Sequence, residues 1–335
     1  MGYHRGKTRY RVDAMIGLLR ASILLFVAVA AGPAVAQSWP QKPVRIVVPF
    51  PAGGSNDTLC RIVGEKLSDA WKQPVIVDNR AGAGGNVGAE IAFRAEPDGT
   101  TLLCSPPGPL SINHNLYKSI PFDWSKFVAI TVLAVVPNVI TARIELPANT
   151  APELIAYAKA NPGKLTFASQ GNGSTSHLAA QMFLTQAGVD MVHVPYKGEG
   201  PALMDIVAGR VDIFIGNIAA ALRFQQAKQV KFLGVTARTR SAVAPEVPDA
   251  AEIGLPDLIA SAWFALVAPP GTPAALVQKI NADAAAALKL PDVRARFLEQ
   301  GAEPQGDTPA ATTAFIQEEE GRWRSVIKSA NVRLE

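Results

Sequence analysis

The sequence predicts an α/β protein built from two similar units, each a mostly parallel sheet flanked by helices, with a cleft between them. Three observations carry that expectation. Strand-like runs alternate with helix-like patterns in two stretches, near 40–142 and near 143–262. The composition, 48% apolar and 18% charged, suits a packed core and excludes a disordered chain. The length, 335 residues, is enough for two domains of ordinary size.

The elements follow from local pattern. Val44 to Val48 is a β-branched run that ends in Pro49-Phe-Pro-Ala-Gly-Gly54. From Asp57 to Trp71, apolar residues recur at three- and four-residue steps and make one helix face, after the N-cap types Ser55, Asn56 and Asp57. Val75 to Val77 reads as a strand, Val87 to Arg94 as a helix and Thr101 to Cys104 as a third strand. In the second stretch, Thr150 caps a helix over 151–161, with Pro152 in its first turn. Strands are expected at 165–168, 191–194, 211–215 and 230–235, and helices at 174–186 and 201–208. One more strand, 263–267, precedes helices near 273–288, 292–300 and 309–330. That last part has too few strands to stand alone, so it is expected to return to the first unit. The expected lobes are therefore 37–142 with 263–335, and 143–262, with crossings near Thr141–Ile144 and Ala260–Trp263.

The net charge of +4 sits at one end. Residues 1–36 carry Arg5, Lys7, Arg9, Arg11 and Arg20 against Asp13, and the remainder is neutral. Nucleic acid is not expected as a partner, since phosphate binding needs an excess of Lys and Arg. The basic stretch, the apolar run from Ala21 to Ala31, the Gly32-Pro33 break and Ala34-Val35-Ala36 read as an export signal cleaved after Ala36. Either Met1 or Met15 can be the start. The two cysteines of the remainder, Cys60 and Cys104, are expected to be buried free thiols. No Cys/His cluster has metal-ligand spacing, so neither a metal nor a cofactor is expected.

Three loops share one design: Pro51 to Asp57, Ala81 to Asn86 and Ser169 to Thr175. Each follows a strand, is rich in Gly and small polar residues, and leads into a helix. Glycine lets backbone approach a ligand, and helix-start N–H groups favour an anion. Tight turns alone would also explain any one of them. Two such loops at corresponding places in both units favour binding across the cleft. The second is the weakest, because Val87 stands where a dinucleotide fingerprint needs its third Gly. There is no GxSxG motif, and no nucleophile–base–orienter set around Ser174 and His177, so an enzyme is not expected. Asp57 and Asp212 are the acidic residues placed nearest the cleft.

Several motifs in order resemble the Bug-type periplasmic solute receptors of tripartite tricarboxylate transporters. They are Trp39 to Gly54 with Asp57; Asp78-Asn-Arg-Ala-Gly-Ala-Gly-Gly-Asn-Val-Gly88; His193-Val-Pro-Tyr-Lys-Gly198 with Pro201 and Gly209-Arg-Val-Asp212; and Ala268-Pro-Pro-Gly-Thr-Pro273. The resemblance spans Trp39 to Glu335. It implies a two-lobed type II periplasmic binding fold that closes on a small carboxylate: a dicarboxylate, an amino acid or an aromatic acid. Carried onto this chain, it implies a ligand site made of Ala52, Gly53, Gly54 and Asp57 in one lobe. In the other it implies Ser169, Gly173, Ser174, Thr175 and His177, with Ser105 and Asn217 lining the rest. The rigid run Pro106-Pro107-Gly108-Pro109 departs from the family pattern where the ligand's far end would sit.

The implied function is a monomeric periplasmic receptor that passes its ligand to a membrane permease. A subunit presenting its liganded form to a signalling protein would use the same cleft, and an exported enzyme acting on a small acid is the more distant alternative. Donors of backbone N–H and hydroxyl type predict an affinity that changes little between about pH 6 and 8.

Overall fold

The computed structural model describes residues 39–329. The expected export signal, with its cleavage point at Ala36, lies outside the described residues. All elements below belong to the unit formed by residues 42–335.

The first strands and helices alternate as their patterns predict: β1 (Val44–Val48), α1 (Ser55–Trp71), β2 (Val75–Asn79), α2 (Asn86–Phe93) and β3 (Thr101–Ser105). β1 lies between β2 and β3, parallel to both. After a π-helical turn at Gly108–Ile112 and the short α3 (Asn113–Leu116) comes β4 (Val128–Arg143), a strand of 16 residues. Its length was not anticipated. Pro137 interrupts an otherwise continuous apolar run, which hides one long strand among what look like shorter pieces.

The second stretch supplies α4 (Ala151–Ala160), β5 (Thr166–Ser169), α5 (Thr175–Ala187), β6 (Val192–Pro195), α6 (Glu199–Val207), β7 (Ile213–Asn217), α7 (Ile218–Gln226) and β8 (Val230–Val235). Thr150 caps α4 by accepting from the Glu153 N–H, as its sequence predicts. β9 (Ser261–Ala268), α8 (Ala274–Lys289), α9 (Pro291–Glu299), the two-residue β10 (Glu303–Pro304) and α10 (Pro309–Ser329) follow.

The strands run in the order β2-β1-β3-β9-β4-β7-β5-β6, with β8 and β10 also on β4. β4 joins the two halves. From Val128 to Pro137 it pairs antiparallel with β9, and from Asn138 onward with β7 and β8. β1, β2 and β3 are parallel on one side, and β5, β6 and β7 on the other. Each half has its own core. One gathers Val47, Leu103, Val132 and Trp263; the other gathers Ile140, Phe167, Phe183 and Ile213. α10 belongs to both: Ile316 packs in the first core, and Trp323 and Ile327 in the second. The chain end thus packs against both cores. Glu319 holds this tie by accepting from the indole N–H groups of Trp263 at 2.8 Å and Trp323 at 3.1 Å. No helix among the described residues is long and apolar enough to cross a membrane.

Candidate ligand-binding site

A parallel sheet puts the loops after its strands at one edge, and here two sheet halves turn those edges toward each other. Between them lies a cavity of about 300 Å³. The loop after β1 contributes Pro51 to Asn56, the loop after β5 contributes Gln170 and Thr175, and the start of α6 contributes Gly198 and Glu199. Asn217 comes from the end of β7, and Phe264 from β9. Two cations, Lys197 and Arg223, also line the cavity, and neither has a carboxylate within ion-pair distance among the described residues.

The residues named from sequence separate into two groups. Ala52, Gly53, Gly54, Thr175 and Asn217 line the cavity. The others stand behind it and hold the loops in shape. Asp57 is in the first turn of α1 and does not cap the helix; Gly54 is the N-cap. Its Oδ2 accepts the Gly53 N–H at 2.9 Å, and its Oδ1 accepts from Asn79 Nδ2 at 3.0 Å and pairs with Arg61 at 2.8 Å. Burial opposes the Asp57 charge, but the bonds from Arg61, Gly53 and Asn79 outweigh it and lower its pKa.

His177 has the matching place in the second loop. Its Nδ1 accepts the Gly173 N–H at 3.2 Å, while Ser174 caps α5 through the His177 N–H at 3.3 Å. The imidazole stacks on His193 with ring centroids 4.1 Å apart, and His193 stacks on Phe167 at 4.7 Å. Ser169 Oγ lies 2.7 Å from His193 Nε2, so it serves the stack and not the cavity. Burial, with the neighbouring His193, pushes His177 down to about 3, and burial pushes His193 to about 4, so both rings are neutral. Ser105 is buried and donates to the Pro106 carbonyl at 2.9 Å. Asp212 is also remote: it pairs with Arg143 at 2.9 Å and accepts the Thr166 N–H at 2.8 Å. Gly173 is buried, and Ser174 lines a small adjoining cleft with Gly84 of the second glycine loop. Cys60 and Cys104 are buried and free.

The residue that sequence reading missed is Glu199, 7% exposed in the cavity wall. It receives four hydrogen bonds. Ser55 Oγ donates to Oε2 at 3.0 Å and the Ser55 N–H at 3.4 Å; Gln170 Nε2 donates to Oε1 at 2.9 Å, and Asn217 Nδ2 donates to the same oxygen. Burial raises its pKa to about 7 despite the Ser55 and Asn217 bonds. The only sequence signal was a charged residue between Gly198 and Gly200, just after the His193–Gly198 motif. Asn217 Oδ1 is buried without a partner among the described residues.

Comparison with known proteins identifies the family and the fold. Residues 59–332 match the profile of the family described as tripartite tricarboxylate transporter family receptor. Protein BugT of Bordetella pertussis is 37% identical over 320 residues, covering 94% of this chain and 98% of BugT. The structure is similar to that of R. palustris Rpa4515 with adipate, with a TM-score of 0.86 and 34% identity over 88% of this chain and 99% of that one. It is also similar to MatC of Rhodopseudomonas palustris with bound malate, with a TM-score of 0.81 and 33% identity over 86% of this chain and all of that one. Profile, relatives and fold agree: the chain belongs to the Bug-type solute-binding receptors of the tripartite tricarboxylate transporter family.

Proposed function

We propose that the protein is a periplasmic receptor that binds a small carboxylate in the cavity between its sheet halves and delivers it to a tripartite-type membrane permease. In this reading residues 1–36 are removed after Ala36 and the mature protein acts as a monomer. Residues 37–142 with 263–335 form one lobe, and 143–262 form the other. The observation that carries the reading is a cavity walled by both glycine loops, with Lys197 and Arg223 on its lining and no carboxylate in ion-pair distance of either among the described residues. Ala52, Gly53, Gly54, Thr175 and Asn217 shape the site, and Asp57, Gly173, Ser174 and His177 keep its loops rigid. Ser105 and Ser169 act through neighbouring backbone and His193. The adipate in Rpa4515 and the malate in MatC support a carboxylate ligand for this fold.

The reading is tested by a thermal-shift screen of refolded, ligand-stripped protein against small acids and their amides. Ligand at a hundred times its Kd adds about 2.7 kcal/mol, which raises the Tm by several degrees. A shift with an acid and none with its amide is the expected result. Equal shifts for both would remove the carboxylate from the account.

A further inference from the structure

We infer that Glu199 sets the charge of the ligand, so that the cavity takes an acid with one carboxylate on an apolar body and rejects dicarboxylates. The inference rests on the carboxylate-receptor reading above and narrows it. It starts from the four bonds to Glu199. An ionised carboxylate has about four lone-pair sites, and here each oxygen accepts two donors. The donors come from both halves of the molecule: Ser55 at the start of α1, and Gln170 and Asn217 beyond β5 and β7. This is the arrangement an incoming carboxylate would need, and the protein fills it with its own.

Two consequences follow. A ligand carboxylate is left with other partners, and the cavity provides Lys197 and Arg223. Two cations against one buried carboxylate leave a single positive charge to be matched. A second ligand carboxylate would exceed that balance and would lie in the same cavity as Glu199, where like charges repel. The apolar part of the lining, Phe50, Pro51, Pro106, Ala262 and Phe264, suits an aliphatic or aromatic body, with Asn56 and Thr175 the other polar residues there. Gly54 adds room beside the acid: a Cβ built there would meet Glu199 Oε2 only at 3.9 Å. Rpa4515 holds adipate and MatC holds malate, so this chain would differ from both in ligand charge.

The test is calorimetric titration of ligand-stripped protein at about pH 8, where Glu199 is mostly ionised. The probes are hexanoate against adipate and benzoate against terephthalate, pairs that differ by one carboxylate. The wild-type protein is expected to bind at least one monoacid about tenfold or more tightly than its diacid. Glu199→Ala vacates the donors and should tighten the diacid by about tenfold or more, and Glu199→Gln should narrow the preference in the same direction. Circular dichroism of each variant establishes that it is folded, and the wild-type ratio needs no variant at all. A diacid bound as tightly as its monoacid by the wild type, or an unchanged ratio in both folded variants, overturns the inference and leaves the receptor reading standing. No binding of any acid in this set or in the thermal screen would instead overturn the receptor reading itself.

Discussion

The two glycine loops that face the cavity are built to the same plan with different chemistry. In each, a glycine N–H in the loop donates to a side chain four residues on, in the first turn of the following helix. In the first loop the pair is Gly53 and Asp57, and in the second it is Gly173 and His177. Both glycines have positive φ, +85° and +76°, so the turn itself needs glycine there. The first brace is an anion held by Arg61 and Asn79. The second is a neutral imidazole held by stacking on His193. The contrast teaches that Asp57 and His177 give the loops their shape, while Gly53, Gly54 and Thr175 beside them line the cavity.

Removing a brace is the strongest way to break the comparison. Asp57→Ala leaves the Gly53 N–H without its acceptor and Arg61 without its carboxylate, while the Asn79 amide keeps the Phe50 carbonyl; it should cost about 1–3 kcal/mol, read as a lower midpoint in urea. Asp57→Asn should recover part of that loss, because an amide oxygen can still accept one of these bonds. Equal stability of wild type and Asp57→Ala would remove the first brace from the account.

Acid separates the two loops. His177 and His193 have folded pKa values of about 3 and about 4, below the unfolded value of about 6.5. Their contribution to stability is complete above about pH 6.5 and is lost as pH falls toward about 4 and then 3. Asp57, lowered from 3.8, gives stability that is complete above that value and is lost only below it. Glu199 has the opposite sign: with a folded pKa of about 7, its contribution is complete below the ordinary glutamate value of 4.5 and is lost as pH rises through about 7. Unfolding free energies from urea titrations between pH 7 and pH 4 should therefore fall less steeply in a folded His177→Phe variant than in the wild type, by about 3 kcal/mol over the range. Parallel curves would contradict the neutral stack.

Smaller effects sharpen the same contrast. Gly53→Val meets no atom within 4 Å of the new Cβ, so its cost is the positive φ alone, about 1–2 kcal/mol. The fold should survive while carboxylate affinity drops by about tenfold or more, since the loop must leave its turn. Unchanged affinity would place the anion away from the first loop. Ser174→Ala removes the α5 cap and should cost about 1 kcal/mol with little effect on affinity.

Most of the architecture was legible because periodicity and turn chemistry are local. The β1-α1-β2-α2-β3 succession, the Thr150 cap and the three final helices all stand within a few residues of their expected limits. β4 was not legible as one strand, since what fixes its length is pairing with β9 on one side of Pro137 and β7 and β8 on the other. The same holds for α10, whose Ile316 and Trp323 enter different cores. At the site, the glycine loops were readable from composition. Glu199 was not, because its meaning comes from Ser55, 144 positions away, and from Gln170 and Asn217, none of which a local pattern connects.

The most direct test of the receptor account is calorimetric titration of stripped protein with the acid that gives the largest thermal shift, followed by its methyl ester. The account predicts a Kd near the micromolar range for the acid, about −8 kcal/mol, and binding of the ester weakened by about a hundredfold or more. An ester that binds as tightly as its acid would contradict it, because the cavity would then be recognising the body of the ligand and not its charge.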